Sequence, residues 1–363
     1  MTATTSLPPL HTLDAHRFEI PTILKKLALA SRNLAELKGV AVTIPNQGIL
    51  INTLSLQEAK DSSAIENIVT SHDKLYQEGA PHQADPAARE VLRYRQSLRA
   101  GFERVRSTGL LTLNTVLDIQ AEIETNRAGL RKLPGTVLKD GAGRTIYEPP
   151  QDAREVERLM GELERFWHGQ PPFDADPLIR MALIHHQFES IHPFYDGNGR
   201  TGRIVNVLYL VKEGLLDIPV LYLSRHILRT KADYYRLLQE VRARDAWEDW
   251  VLYMLTAVEQ TAAETIGTLQ AIKRLLLKTK QHIRARHKFY SQDLINNLFS
   301  HPYTKIEFIQ RDLGVSRLTA TKYLDALVTD GTLRKRKIGR SNYYINQPLF
   351  DILSGAEHDA PSV

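Results

Sequence analysis

Apolar side chains at Ile20, Ile23, Leu24, Leu27, Leu29, Leu34 and Leu37 approximate the 3.6-residue spacing of a helix, and Pro21 stands where helices open, so the first expected element is a helix over 18–37. Pro45, Asn46 and Gly48 interrupt the pattern, and a second helix is expected over 56–76. Pro81 and Pro86 mark the next break, followed by helices over 89–105 and 114–124. Between 135 and 150 the period changes. Thr136, Val137 and Leu138, then Asp140, Gly141 and Gly143, then Thr145, Ile146 and Tyr147, predict two short strands around a Gly-rich turn. Helical spacing returns at 155–167 and 177–190, where Leu178, Met181, Ala182, Ile184 and Phe188 share one broad face. A further helix is expected from Arg203 through Val211, two more over 231–242 and 247–259, and a long connector over 261–286 that becomes rich in Lys and Arg from Lys273.

After Tyr290, Ile295, Leu298 and Phe299 mark one short helix, while Ile306, Phe308, Ile309 and Leu313 mark a second that closes at Gly314. Ser316 is the N-cap of a third, carrying Leu318, Ala320, Tyr323, Leu324 and Leu327 and ending at Gly331. Two strands, 333–338 and 342–345, then flank a turn at 339–341, and the tail 354–363 is expected to fray.

Composition narrows this picture. At 363 residues the chain has room for two or three cores, and 42% apolar with 25% charged residues is the balance of a globular protein. No segment approaches the roughly 20 apolar residues of a spanning helix, and residues 1–10 lack the features of a secretory signal. The absence of cysteine excludes disulfides and thiolate metal sites, and a cytoplasmic location is expected. The net charge of +5 is modest, so only its distribution can point to an anionic partner.

Candidate chemistry concentrates in 192–203. A Gly-rich turn entering a helix directs backbone N–H groups and a positive dipole at one point, a ready anion site. Gly197, Gly199 and Gly202 leave room for a phosphate, and Arg200 and Arg203 can fork onto its oxygens. Asp196 suits one face of a Mg²⁺ ion that otherwise takes phosphates and water. His192, with an ordinary pKa of about 6.5, is the natural general base for a hydroxyl. Phe194 reads as a core anchor.

These residues match without a gap the pattern His-x-Phe-x-Asp/Glu-Gly-Asn-Gly-Arg-x-x-Arg, and the chain resembles the Fic family through it, as well as through Gln187, Phe188 and Glu189 upstream and Tyr234, Tyr235 and Trp247 downstream. The resemblance implies a mainly α fold, a helical bundle with a small β-hairpin flap, and transfer of AMP from ATP with Mg²⁺ to a Ser, Thr or Tyr hydroxyl of a protein. Carried onto this sequence, it makes His192 the base, Asp196 the Mg²⁺ ligand and Asn198 a donor near the α-phosphate. Gly197, Gly199, Arg200, Thr201, Gly202 and Arg203 then hold the phosphates, and Tyr235 lies beside the adenosine. Kinases of the related Doc branch carry Lys at the position of Gly199. The flap at 135–150 would hold the target segment by strand pairing, or else is a plain surface hairpin.

Ser62, Glu66 and Asn67 fit the inhibitory pattern Ser/Thr-x-x-x-Glu-Gly/Asn known from Fic proteins, with Ser62 and Glu66 expected on one face of the second helix. By this resemblance Glu66 would pair with Arg203 and occupy the cation meant for the γ-phosphate. The C-terminal segment resembles a winged helix-turn-helix, with 316–322 leading the recognition helix and Arg334, Lys335, Arg336, Lys337 and Arg340 on the wing. Its partner is DNA, another protein or a second copy. The expected division is a helical N-terminal region over 1–110, a catalytic core over 111–257, a connecting helix over 258–288, the winged unit over 289–353 and a tail over 354–363. The expectation is an autoinhibited protein adenylyltransferase that can modify itself, forms a homodimer and contacts no membrane. The alternatives are a nucleotide-sensing DNA-binding regulator, an enzyme that removes AMP, or one using another nucleotide.

Overall fold

The structure, a computed structural model, describes residues 7–77, 85–139, 141–338 and 341–355. The readings made at Pro81, Asp140, Gly339 and Arg340, and in the tail beyond 355, lie outside them. The helices α1 (Pro21–Val42), α2 (Gln47–Ile65), α3 (His72–Gln77), α4 (Pro86–Thr108) and α5 (Leu113–Glu124) come first, and then the hairpin strands β1 (Leu138–Lys139) and β2 (Thr145–Tyr147). Next come α6 (Ala153–Trp167), α7 (Pro177–Ile191), α8 (Asn198–Lys212), α9 (Leu223–Arg229), α10 (Lys231–Arg244) and α11 (Trp247–Arg286). The C-terminal part holds α12 (Gln292–Ser300), β3 (Tyr303–Thr304), α13 (Ile306–Leu313), α14 (Arg317–Thr329), β4 (Arg334–Ile338), β5 (Ser341–Ile345) and α15 (Gln347–Ser354).

α7 and α8 are buried on nearly every side, as helices without a polar face must be, and form the centre of the bundle. α1 lies along α11, tied by Lys26 to Glu259 and by the carbonyl of Glu259 to Asn33. α11 runs 40 residues without a break, so 247–259 and the expected connector are one helix. No helix among the described residues is long and apolar enough to cross a membrane.

The second helix differs from its sequence reading at both ends. Asn46 is an N-cap, accepting from the Gly48 N–H at 2.9 Å, so the group Pro45, Asn46, Gly48 opens a helix rather than separating two. At the other end the helix stops at Ile65, and Asn67 turns left-handed with φ +64°. The Ile68 N–H then reaches back to the Ser63 carbonyl and the Asn67 N–H to Ala64, both at 3.0 Å, which is a Schellman closure. α9 and α15 have no counterpart in the sequence reading.

In the C-terminal part, β3, β5 and β4 form an antiparallel sheet in that order beside α12, α13 and α14, an arrangement compatible with a winged helix. The Ser316 side chain caps α14 by accepting from the Thr319 N–H at 3.2 Å. α15 returns to pack on α2 and α11, so one apolar core runs from Leu10 to Leu353.

Candidate active site

The turn between α7 and α8 faces a cleft of about 540 Å³ that also receives Glu66, Glu90, Arg93 and Glu124. A second cleft, between α4 and α5 and lined by Arg104, Asp118 and Glu122, holds none of the sequence-predicted site residues.

α7 ends at His192, whose φ of +49° is left-handed, a conformation costing a non-glycine residue on the order of 1–2 kcal/mol. Burial first, then the positive charges of Arg242 and Arg131, push its imidazole down to about 4, so it is neutral at neutral pH. Pro193 and a fully buried Phe194 follow. The Asn198 Oδ1 accepts from the Phe194 N–H and its Nδ2 donates to the Phe194 carbonyl, each at 2.8 Å. Both ends of the amide thus brace the turn, while the second N–H of Nδ2 is not used in this clamp.

Gly197, with φ +79°, caps α8, and a Cβ there would sit 2.6 Å from the Glu124 carboxylate. The helix starts at Asn198 rather than Arg203, so Gly199, Arg200, Thr201, Gly202 and Arg203 belong to its first turns. The Thr201 N–H bonds to the Gly197 carbonyl, whereas the N–H groups of Asn198, Gly199 and Arg200 precede the first helical acceptor. The candidate anion site is therefore a helix N-terminus. At Gly202 a Cβ would lie 2.8 Å from Glu189 and 3.0 Å from Phe188, so the glycine lets α8 approach α7. Thr201 is buried, its hydroxyl without a protein partner.

Arg203 is buried and spans the gap to α2. Its Nε donates to Ser62 Oγ at 2.8 Å, and one terminal nitrogen donates to the Ser62 carbonyl at 3.0 Å and to Glu66 Oε1 at 2.8 Å. Burial works to raise the Glu66 carboxyl, but the charge and hydrogen bond of Arg203 outweigh it and leave it lowered. Glu66 lies one residue past the end of α2, not on the helix. A Cβ at Gly199 would meet Glu66 Oε1 at 2.5 Å. Arg200 is held by Glu124 at 2.6 Å and Glu90 at 3.1 Å, so both terminal nitrogens expected on phosphate are carboxylate-bound here. Asp196 is exposed, with Oδ1 accepting from the Gly197 N–H at 2.7 Å. Tyr235 is 41% exposed and packs edge-on against Tyr234.

Three consecutive stretches match models of one family: the Fic/DOC family N-terminal region over residues 24–103, the Fic/DOC family over 110–210, and the protein adenylyltransferase SoFic-like C-terminal domain over 275–349. The chain belongs to the Fic/DOC family. A Fido domain-containing protein of Dictyostelium discoideum is 32% identical over 97 residues, 24% of this chain and 66% of that protein. The protein adenylyltransferase fic-1 of Caenorhabditis elegans is 32% identical over 123 residues, 33% of this chain and 22% of that one. The Nematostella vectensis protein adenylyltransferase Fic is 27% identical over 112 residues, 31% and 25% of the two chains. The chain thus spans less than two thirds of each relative's length. The fold matches a Fic family protein from Desulfovibrio desulfuricans at a TM-score of 0.57 and 20% identity, covering 93% of this chain and 98% of that one. It also matches C. elegans Fic-1 at 0.53 and 19%, covering 67% and 71%.

Around the Fic signature stand residues that local spacing did not reveal. Arg131 donates to the His192 carbonyl at 2.8 Å, Arg242 to Ser190 Oγ at 3.0 Å, and Tyr147 to the Ser190 carbonyl at 2.9 Å. Each comes from a distant segment, so no pattern around it marks it. Lys231 donates to the Ile65 carbonyl at 2.5 Å and to Asn67 Oδ1 at 3.3 Å. A lysine at the first position of a helix opposes that helix's own dipole, and this misplacement is a signal that could have pointed to a partner elsewhere.

Proposed function

We propose that this Fic chain transfers AMP from ATP to a protein hydroxyl and that Glu66 holds it shut. The observation that carries the reading is Arg203, anchored by Ser62 and Glu66 at the cleft where a neutral His192 and the α8 N-terminus converge. The target hydroxyl gives its proton to His192 as its oxygen attacks the α-phosphorus. The bond from that phosphorus to the bridging oxygen breaks, and diphosphate leaves. The α8 N–H groups stabilise the charge on the phosphate oxygens, a contribution that removal of one such donor puts at about 10²–10³-fold.

Asp196 would hold Mg²⁺. Among the described residues no group of three or more His, Asp or Glu side chains is placed to cage a metal, and one exposed carboxylate fits an ion whose other ligands are phosphates and water. Bound there, Mg²⁺ neutralises phosphate charge.

While Glu66 occupies Arg203, the γ-phosphate lacks its cation and ATP cannot settle with its α-phosphorus in line. The hairpin offers the outer edges of β1 and β2 to a target segment, with Leu133, Val137 and Ile146 exposed around it. The exposed basic face of β4 is a surface for an anionic partner, although Lys335 is paired with Asp325 at 2.7 Å. Mass spectrometry of the Glu66→Gly protein incubated with ATP tests the reaction: one added adenylyl group on a Ser, Thr or Tyr supports it, and an added phosphate alone overturns it.

A further inference from the structure

A helix leaves its last carbonyls without partners inside the helix, and at the end of α7 those of Glu189, Ser190 and Ile191 are each met by a side chain from another element. Arg242, on α10, donates to the Glu189 carbonyl at 3.2 Å and to Ser190 Oγ at 3.0 Å. Tyr147, the last residue of β2, donates its hydroxyl to the Ser190 carbonyl at 2.9 Å. Arg131 donates to the carbonyls of Ile191 at 3.2 Å and His192 at 2.8 Å, and its backbone N–H bonds to the Pro193 carbonyl at 2.9 Å. The same guanidinium reaches the carbonyl of Pro150, on the exit from the hairpin. The set is closed by the Arg242 guanidinium, 4.0 Å from the centre of the Tyr147 ring.

We propose that Arg131, Tyr147 and Arg242 are positioning residues for the base, fixing the left-handed turn at His192 and tying it to the hairpin. The inference rests on the reading of His192 as the base and of the hairpin as the seat of the target. A strained turn persists only when its surroundings over-determine it, and five hydrogen bonds to consecutive residues do so here. Because Arg131 and Tyr147 belong to the segments entering and leaving the hairpin, one network places both the segment that carries the hydroxyl and the imidazole that takes its proton.

Capping alone would need only neutral donors. Two guanidinium groups also hold the imidazole uncharged, against Glu66, which faces it from beyond α2 and works the other way; the Glu189 backbone, in its own helix, also works to raise it. Arg242 lies against the face of Tyr147, and the buried Glu189 carboxyl also faces its charge.

The test is made in the Glu66→Gly chain with Arg242→Gln, which keeps donors and loses charge, Arg242→Lys, which keeps charge and loses the fork, and Tyr147→Phe, which loses one hydroxyl. The His192 imidazole is titrated by NMR, and kcat and KM for ATP are measured against pH. Arg242→Gln should raise the His192 titration by on the order of half a pH unit, while Arg242→Lys leaves it in place. Arg242→Lys and Tyr147→Phe should each lower kcat by roughly tenfold with KM for ATP within about twofold. An unmoved His192 titration in folded Arg242→Gln, or an unchanged kcat in Tyr147→Phe, overturns the proposal. If the Glu66→Gly chain transfers nothing, the adenylyl-transfer reading falls, and the titration alone still decides whether Arg242 sets the state of His192.

Discussion

The amide of Asn198 uses its acceptor and its donor on the two backbone groups of Phe194, which a carboxylate cannot do. Asn198→Asp should lower thermal stability by ~1–3 kcal/mol and reduce transfer by displacing the turn that carries His192, as melting and labelling would show. The imidazole itself sets the pH dependence. With its pKa at about 4 in the folded chain, against 6.5 for an ordinary histidine, His192 is an active neutral base above about pH 4 and is lost as pH falls through that value. The acid limb of kcat/KM in Glu66→Gly should therefore lie near 4 rather than 6.5. Stability carries the same sign. Between 6.5 and about 4 the unfolded chain binds a proton that the folded chain refuses, so folding weakens as pH drops through that window, and His192→Asn should flatten the slope. That His192, Asp196, Gly197 and Gly199 share one cleft was legible because they sit in one short run. The Asn198 clamp and the carboxylates on Arg200 were not, because their partners depend on how the turn closes and on α4 and α5.

At the scale of the element, α2 and the turn that follows it show what a sequence pattern can and cannot convey. Ser62, Glu66 and Asn67 were named from their resemblance to the inhibitory pattern of Fic proteins, and the Schellman closure gives that pattern a physical reason. The helix must end at a left-handed residue for Glu66 to turn toward Arg203, and Asn or Gly fills that position best. Asn67→Gly should leave stability and inhibition nearly unchanged, whereas Asn67→Val should cost ~1–2 kcal/mol and raise basal labelling. Lys231→Met removes the cation on the Ile65 carbonyl and should act in the same direction. The starts of α2 and α8 were misjudged for one reason: Pro, Asn and Gly were taken as breaks, whereas Asn46 and Gly197 are caps that open helices.

Across the whole molecule, the C-terminal part packs on α2 and α3 rather than standing apart from them. Gln57 of α2 donates to the Leu353 carbonyl of α15, and Tyr76 of α3 stacks on Tyr303 at 5.9 Å and meets Phe350 at 6.0 Å. Tyr76→Ala should therefore loosen α3, lower the melting temperature and raise basal labelling, and labelling unchanged beside a lowered melting temperature would separate the two parts. The helical class and the hairpin were legible from periodicity, since each depends on local spacing. The return of α15 was not, because packing between distant helices leaves no local period. The central claim is tested most directly by incorporation of label from α-³²P-ATP, comparing wild type, Glu66→Gly, and Glu66→Gly with His192→Ala. The account predicts weak labelling of the wild type, strong labelling with Glu66→Gly and none once His192 is removed. Absence of labelling in all three, with ATP bound, would contradict it.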